Sequence, residues 1–507
     1  MTEYRESHHP ADRGRVTAPL GVIADDFTGA TDVAVALRRA GLRTLLFFGV
    51  PDGTSAPDGV GAPDGTRVTD STGLLDGTDA PDSTGVLGGT GEGAHGSHPA
   101  RLPAHDALVV ALKSRMVPAA DAVASSMGAL EWLRGQGSGQ IYFKFCSTFD
   151  STPRGNIGPV LDRLAEATGA ATVPLTPSSP EHLRTQYQGC LFVDDVLLGA
   201  SHMRDHPVTP MTDSHLPGLL RAQTRERVEL IRLGTVREGH AAVRAALADA
   251  GARGVRYVLA DGIDESDLRT LGRAALGAPL VAGAAGLAAG LAHAYAEERA
   301  GHPPDTDHTR DAGRDGTGAG EKAADTREAP GGPAAVLSGS CSRRTLEQLA
   351  ALADAGRPGY LLDPVATPDP VALADAALAW YDALPAGAGA PVLYSSVAPE
   401  RLREIQRLLG VERSAAVLEE TTGLVAVGLV ERGVRRLVAA GGETSGAVVA
   451  ALGVTGAHVG AEAALGVPWI HPLGGRPLAL LLKSGNFGGP GLLLDASASP
   501  AGREDTG

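Results

Sequence analysis

Short apolar stretches alternate with segments of helical periodicity through the first part of this chain. The stretches predict strands at residues 19–24, 44–50, 107–115, 140–145, 228–233 and 255–261, and a further one opens PLVAGAAGLAAGLAHAYAEE at residue 279. Helix-length segments lie between them, the first at about residues 30–40. Parallel strands need crossover connections, which are usually helical. The alternation therefore predicts an α/β fold with a mostly parallel sheet and helices on both faces.

The same alternation returns in the last third of the chain. It begins with AAVLSGSCSRRTLEQLAALADAG at residue 334 and closes with LALLLKSGNFGGPG near residue 490. We therefore predict two α/β domains, at residues 18–300 and 334–498, each a mostly parallel sheet flanked by helices. Small-molecule sites often lie between domains, so we expect the active site in the interdomain cleft.

Four segments lack any periodic apolar pattern. They are residues 1–17, residues 51–105 with repeated Pro-Asp-Gly and Asp-Gly-Thr steps, residues 301–333, and residues 499–507. Such compositions bury too little apolar surface to offset the entropy lost on ordering. We predict a disordered lead, a flexible low-complexity insertion in the first domain, an interdomain linker and a frayed tail.

Composition and charge exclude several classes of function. The 507 residues carry a formal charge of −15, so most of the surface would repel nucleic acid and anionic membranes. Cys146, Cys190 and Cys341 are far apart and lack metal-ligand spacing, which predicts a reducing compartment without disulfides. No stretch has the pattern of a signal peptide or a membrane span. We predict a cytoplasmic protein whose ligand is a small molecule, with no nucleic-acid and no membrane partner.

The stretch GVIADDFTGATDV, residues 21–33, delivers two adjacent carboxylates at the end of a predicted strand. Ligands of open parallel sheets bind beyond the carboxyl ends of the strands, so Asp25 and Asp26 are candidate catalytic groups. A structural role is equally open for one of them, because Asp is a favoured N-cap of the helix that follows.

Basic and hydroxyl side chains follow two further predicted strands of the first domain. Lys113 and Arg115 end one of them, and KFCSTFDST, residues 144–152, ends another. Arg suits bidentate contact with a carboxylate, and Lys supplies a point charge. Together with the acids they indicate a pocket for a small hydroxylated anion. Cys146 lacks an evident His partner, so we interpret it as a small side chain rather than a nucleophile.

Three Gly-rich or Ser-rich turns follow predicted strands of the second domain. They are SGSCS at 338–342, GGETSG at 441–446 and KSGNFGG at 483–489. Glycines let a ligand approach the backbone, and helix N-termini hold phosphate oxygens. None matches a Walker or dinucleotide pattern. Three such loops on one parallel sheet open on one edge, which favours a nucleotide site over ordinary tight turns.

The segment 192–216 is polar and rich in histidine. His202, His206 and His215 lack regular metal-ligand spacing, so a metal site is disfavoured and the metal ligands stay unknown. We interpret the segment as a loop that covers the substrate or contacts a second subunit, which leaves a homodimer open.

Six motifs in order resemble the four-carbon acid sugar kinase family. They are ADDFTGATD at 24–32, KFCSTFDST with RGNIG at 144–158, YQGCLFV with HPVTPMTDS at 187–214, LSGSCS at 337–342, GGETSG at 441–446 and KSGNFGG at 483–489. Within the family the chain is most similar to the 3-oxo-tetronate kinases. The resemblance implies ATP-dependent phosphorylation of the terminal C4 hydroxyl of a four-carbon sugar acid, here a 3-oxo-tetronate, and phosphoryl transfer implies Mg²⁺. It also implies sugar acid in the N-terminal domain and ATP in the C-terminal one.

The resemblance also implies roles for individual residues. Asp25 or Asp26 would accept the hydroxyl proton, and Arg115 with Lys144 would hold the substrate carboxylate. The sugar-acid contacts implied are Asp25, Arg115, Lys144, Phe145, Cys146 and Ser147; the nucleotide contacts implied are Ser338, Ser340, Ser342, Gly441, Gly442, Glu443, Thr444 and Gly485.

Two departures from the family pattern and three alternatives remain. PLTPSSPEHLRT at 174–185 keeps only Arg184 and Thr185 of a Pro-Asn-Gly-Arg-like turn, and residues 283–286 read Gly-Ala-Ala-Gly where Gly-Gly-Ser-Gly is usual. The alternatives are a D-threonate or D-erythronate 4-kinase, a nucleotide-regulated sugar-acid-binding protein without turnover, and an epimerase or dehydratase that uses the paired acids with Mg²⁺ and no ATP.

Overall fold

The computed structural model describes residues 18–51, 102–149, 152–205, 209–300 and 330–498. Their strands and helices belong to one compact unit, formed by the chain up to Pro51 and from Ala104 onward. The predicted lead and tail, nearly all of the 51–105 insertion and most of the 301–333 linker lie outside the described residues.

The N-terminal half follows the predicted alternation of strands and helices. Its strands are β1 (Leu20–Ala24), β2 (Thr44–Phe48), β3 (Ala107–Ala111), β4 (Gln140–Lys144), β5 (Val173–Thr176), β6 (Arg184–Tyr187), β7 (Cys190–Val193), β8 (Val196–Leu197), β9 (Val228–Ile231), β10 (Tyr257–Ala260) and β11 (Leu280–Gly283). Its helices are α1 (Phe27–Arg39), α2 (Ala119–Gly135), α3 (Ile157–Thr168), α4 (Leu216–Arg221), α5 (Leu233–Arg237), α6 (His240–Ala252), α7 (Glu265–Ala275) and α8 (Ala285–Ala300).

The C-terminal half repeats the layout and adds an antiparallel hairpin. Its strands are β12 (Ala334–Ser338), β13 (Gly359–Leu361), β14 (Val392–Tyr394), β15 (Arg436–Ala440), β16 (Gly456–Ala464), β17 (Val467–Pro472) and β18 (Ala479–Lys483). Its helices are α9 (Arg343–Asp354), α10 (Pro370–Asp382), α11 (Pro399–Leu409), α12 (Val411–Glu431), α13 (Gly442–Ala451) and α14 (Leu492–Ser497).

Both halves share one sheet of 15 strands, in the order β13-β14-β12-β15-β18-β17-β16-β2-β3-β1-β4-β11-β5-β10-β9. Most pairings are parallel, as predicted, and the helix-covered strands β1, β3, β4, β12, β15 and β18 are buried along their whole length. The halves join where β16 pairs antiparallel with β2. The sequence predicted neither this junction nor the separate three-stranded antiparallel sheet of β6, β7 and β8.

The register of the sheet aligns the strand ends that carry the predicted chemistry. Ala24 of β1 pairs with Ala111 of β3 and Lys144 of β4, and Gly283 of β11 pairs with Lys144. The loops after these strands therefore begin at one edge of the sheet. In the C-terminal half, Ala440 of β15 pairs with Ser338 and with Lys483, which gives the three Gly-rich or Ser-rich loops a common edge as well.

The strands of the two halves run in opposite directions along the sheet. Three antiparallel pairings separate β1 from β18, at β2–β16, β16–β17 and β17–β18. Among the described residues, no helix is long and apolar enough to cross a bilayer.

Candidate active site

Arg115 lies between the two aspartates that follow β1. Its Nε and Nη2 donate to Asp25 at 3.0 and 2.6 Å, and its Nη1 and Nη2 donate to Asp26 at 3.0 and 2.7 Å. The turn that carries Arg115 is held in place because the amides of Ser114 and Arg115 donate to the Asp25 carbonyl. The side-chain amide of Asn156 also donates to the backbone carbonyls of Ser114 and Arg115. Asn156, in the RGNIG motif, is a supporting residue that our site prediction missed.

Asp26 is the helix cap that the sequence left open as an alternative. Its Oδ1 accepts from the Gly29 amide at 2.8 Å and its Oδ2 accepts from the Thr28 hydroxyl at 2.8 Å. With the two bonds from Arg115, these fill the roughly four acceptor positions of a carboxylate. Burial raises the pKa of Asp26, but the charges of Arg115 and Lys144 and the two hydrogen bonds outweigh it and lower the pKa. Asp26 is therefore ionised and fully occupied by the fold.

Asp25 keeps acceptor capacity that Asp26 lacks. Among the described residues, Arg115 alone donates to its carboxylate, one bond to each oxygen, so about two lone pairs stay open. Burial raises the pKa of Asp25, and the nearby charge of Arg115 offsets this only in part. A buried carboxylate with a raised pKa and open lone pairs is suited to proton acceptance.

Lys144 and Phe145 are more deeply placed than the sequence suggested. Lys144 is 2% exposed, and its Nζ donates to the Phe145 carbonyl at 2.9 Å. A Cβ on Gly29 would lie 2.9 Å from that Nζ and 2.3 Å from Asp26 Oδ1, so glycine is required where α1 approaches the cluster. The Phe145 ring is fully buried against Phe143 and Phe149, which leaves only its backbone for a ligand.

Cys146 and Ser147, in the loop that follows β4, are half-buried. The Cys146 thiol lies 2.9 Å from the Thr148 hydroxyl. The structure thus brings together Asp25, Asp26, Arg115 and the residues after β4, as the sequence predicted. Their contacts with a sugar acid stay predictions.

The three Gly-rich or Ser-rich loops of the C-terminal half converge. Ser342 caps α9, where it accepts from the Thr345 amide, and its hydroxyl donates to the Gly485 carbonyl at 2.5 Å. The Ser340 hydroxyl donates to Ser342. The Ser338 hydroxyl lies 2.8 Å from the Ser396 hydroxyl.

Two glycines of these loops have no room for a side chain. A Cβ on Gly485 would lie 2.6 Å from Ser340 Oγ, and one on Gly441 would lie 3.0 Å from Thr444 Oγ1 and 3.1 Å from the Ser340 nitrogen. Gly441 also has φ of +129°, which L side chains rarely adopt. Backbone amides and hydroxyls packed this closely at the start of α13 form a cradle suited to phosphate. Gly442 and Glu443 are exposed in the first turn of α13.

Lys483, at the end of β18, is a feature of the Gly-rich or Ser-rich loops that our site prediction missed. It is fully buried, and its Nζ donates to Thr345 Oγ1 at 2.8 Å, Gln348 Oε1 at 2.6 Å and the Gly485 carbonyl at 3.1 Å. No carboxylate of the described chain lies within 4.0 Å of it. A Lys directly before a Gly-rich loop was the only signal in the sequence.

The pH dependence of the protein's stability should report the protonation state of Lys483. Burial, helped by the charge of Arg344, lowers its pKa from 10.5 to about 8. Between these two pH values the unfolded chain holds a proton that the folded chain has lost, so stability should rise with pH. We expect the melting temperature of the wild type to rise relative to that of Lys483→Met from pH 7.5 to pH 10. A constant difference across that range would contradict the assignment.

Contacts link the acid cluster, formed by Asp25, Asp26 and Arg115, to the Gly-rich loops. Lys113, after β3, packs on α13, where a Cβ on Gly446 would lie 2.7 Å from its Nζ. Lys113 also pairs with Glu419 of α12 at 3.2 Å. The His182 ring stacks on Phe487 of the KSGNFGG loop, with centroids 5.1 Å apart. Elements that carry the two predicted sites are thus in direct contact.

Divalent metal fits this site only together with a phosphate ligand. Within the described ranges, no three His, Cys, Asp or Glu side chains are grouped to hold a metal ion, and His202 and His215 belong to no such group; His206 lies outside those ranges. Mg²⁺ is commonly held by one or two carboxylates, substrate phosphates and water. The exposed Glu443 beside the phosphate cradle is a donor of that kind.

Comparisons with known proteins match both halves of the chain. A sugar-binding N-terminal domain family matches residues 20–291, and a nucleotide-binding C-terminal domain family matches residues 335–493. The 3-oxo-tetronate kinase of Cupriavidus necator is 43% identical over 93% of this chain and 94% of its own length. The 3-oxo-tetronate kinase of Salmonella typhimurium is 37% identical over 92% and 96%.

Solved structures resemble the whole chain. A crystal structure from Salmonella typhimurium LT2 has a TM-score of 0.72 at 37% identity and covers 94% of this chain and 98% of that one. A crystal structure of a Haemophilus influenzae protein has a TM-score of 0.67 at 34% identity, with the same coverage. The α/β fold predicted from the sequence is confirmed.

Proposed function

The chain belongs to the four-carbon acid sugar kinase family, and from that premise we propose that it uses ATP to phosphorylate the C4 hydroxyl of a 3-oxo-tetronate. The curated relatives named 3-oxo-tetronate kinases support this choice over a D-threonate or D-erythronate kinase. The observation that carries the proposal is the contact between the elements of the acid cluster and the Gly-rich loops, at Lys113 and at His182.

Asp25 is the proposed general base. Its open lone pairs accept the proton of the C4 hydroxyl as that oxygen bonds to the γ-phosphorus and the bond to the departing ADP breaks. Arg115 holds Asp25 and Asp26 in position, and Asp26 fixes the start of α1. This division of roles follows from the hydrogen bonds each carboxylate already makes.

ATP is proposed to bind with its phosphates on the cradle of Ser340, Ser342, Gly441 and Gly485. Backbone amides at the start of α9 and α13 supply neutral donors, and the helix dipoles favour negative charge there. Mg²⁺ bound with the nucleotide would neutralise phosphate charge, with Glu443 as a candidate ligand. The cytoplasmic location and the homodimer also stay predictions.

A panel of acceptors tests the proposed function. Purified protein with ATP and Mg²⁺ should release ADP with a 3-oxo-tetronate far faster than with D-threonate or D-erythronate, because the relatives that share most of its length act on the 3-oxo acid. A coupled ADP assay gives the rates. Faster release with threonate or erythronate would move the assignment to those kinases.

The remaining alternatives give different results in the same panel. A sugar-acid-binding protein without turnover would show a thermal shift with the acids and no ADP. An epimerase or dehydratase would change the acid in the absence of ATP, which chromatography of the product detects.

A further inference from the structure

The acid cluster does not offer Arg115 as a clamp for a carboxylate. Four hydrogen bonds to Asp25 and Asp26 use four of the five N–H donors of its guanidinium. A bidentate clamp needs two parallel N–H groups, and one is left. Lys144 is buried with its Nζ on a backbone carbonyl. A substrate that is itself an anion therefore needs another cation near this cluster.

Arg184 lies at the same edge of the sheet. Arg184 ends the segment that follows β5. The last residue of β5, Thr176, pairs with Gly283 of β11, and Gly283 pairs with Lys144 of β4. The segment is closed by reciprocal backbone hydrogen bonds between Ser179 and Arg184, of 2.8 and 3.1 Å. Only β11 separates β5 from β4, so the segment that ends at Arg184 starts at the same sheet edge as the loop that carries Cys146.

The electrostatics agree with this placement. A negative charge on Cys146 would raise the pKa of both Arg115 and Arg184. Burial lowers the pKa of Arg184, although Asp194 and Cys146 partly oppose it. The segment that ends at Arg184 also reaches α1, because His182 Nε2 lies 3.7 Å from Asp32 Oδ1.

Arg184 has hydrogen-bonding capacity that the fold does not use. Its Nε is buried and has no hydrogen-bond partner among the described residues. One Nη donates to the His182 carbonyl, and the nearest carboxylate, Asp194, is 54% exposed and 3.8 Å away. Leu183, the residue before it, has φ of +58°, which is strained for a leucine. A half-buried guanidinium whose buried Nε has no hydrogen-bond partner, next to strained backbone, is typical of a ligand site.

We propose that Arg184 binds the carboxylate of the four-carbon acid, while Arg115 orients the two aspartates. The inference rests on the proposed function, because it assumes that the acceptor is a sugar acid. The residue that selects acids over neutral sugars then lies in PLTPSSPEHLRT, the segment that departs from the family pattern.

The test compares acids with a neutral analogue. Erythrulose carries CH2OH where a 3-oxo-tetronate carries the carboxylate. Arg184→Gln should raise KM for the 3-oxo-tetronate by ~10- to 100-fold, the range of a lost charge-assisted hydrogen bond, with KM for ATP unchanged. Its kcat/KM with erythrulose should match that of the wild type. Arg184→Lys should recover part of the loss, and Arg253→Gln, an exposed arginine paired with Glu229, should behave as the wild type.

Two results would overturn the proposal. One is an unchanged KM for the acid, and the other is an equal loss with the acid and with erythrulose, which would indicate a structural role. Calorimetry of D-erythronate binding distinguishes failure of the Arg184 proposal from failure of the proposed function. If the wild type releases no ADP yet binds D-erythronate, weaker binding by Arg184→Gln supports the carboxylate contact, and equal binding refutes it.

Discussion

Asp25→Asn should lower kcat by ~100- to 10,000-fold, the usual range for loss of a general base. The substitution keeps the shape of the side chain and removes the lone pairs that would receive the C4 hydroxyl proton. ATP binding should stay intact, because Asp25 belongs to the acid cluster and not to the Gly-rich loops. Stopped assays for kcat and calorimetry for ATP affinity measure the two effects.

Asp26→Asn is the matched control for Asp25→Asn. It removes one negative charge from the same Arg115 cluster, and Asn is as good an N-cap as Asp, so the bond from the Gly29 amide is kept. We expect a much smaller loss of kcat than for Asp25→Asn. Full activity in both variants would refute a carboxylate base, and a larger loss in Asp26→Asn would exchange the two roles.

The pH profile adds a second readout for Asp25. Its pKa is raised by burial, so the carboxylate protonates at a higher pH than an ordinary aspartate as the solution becomes acidic. Because the base must be ionised, kcat should fall on the acid side at a pH above that of an ordinary Asp, whose pKa is about 3.9. In Asp25→Asn, the fall of kcat on the acid side should be absent.

Gly441→Val should weaken ATP binding by roughly 10- to 100-fold for each phosphate contact displaced. The new Cβ meets Thr444 Oγ1 at 3.0 Å and the Ser340 nitrogen at 3.1 Å, and φ of +129° is strained for valine. The backbone of the cradle must move away from its position. Binding of D-erythronate should be unchanged, because the acid cluster is not altered.

Gly453→Ala controls for general loss of stability in the same helix region. Gly453 has φ of +63°, so alanine there introduces strain, but a Cβ meets no atom within 4 Å. We expect a lower melting temperature with unchanged ATP affinity. If Gly441→Val also kept its ATP affinity, the loops would not form the nucleotide site, and retained turnover without ATP would favour the epimerase or dehydratase.

The sequence determined the elements and their chemistry. Alternating apolar and helical periods gave β1, α1, β3 and β4 near their observed bounds, because buried parallel strands need continuous apolar runs. Glycine motifs after strands located the three C-terminal loops, because only glycine permits their close packing. The order of the motifs identified the family.

Tertiary structure decided how those residues are used. Adjacent Asp25 and Asp26 are alike in sequence, and only their hydrogen bonds separate a base candidate from a helix cap. Arg115, Lys144 and Phe145 are predicted to contact substrate, and that stays a prediction. The tertiary structure shows that Asp25 and Asp26 engage the Arg115 guanidinium and that Lys144 and the Phe145 ring are buried. Arg184 matters because its buried Nε has no hydrogen-bond partner among the described residues, and Lys483 matters because it is buried with no carboxylate of the described chain within 4.0 Å. Both environments depend on packing between distant segments rather than on neighbours along the chain.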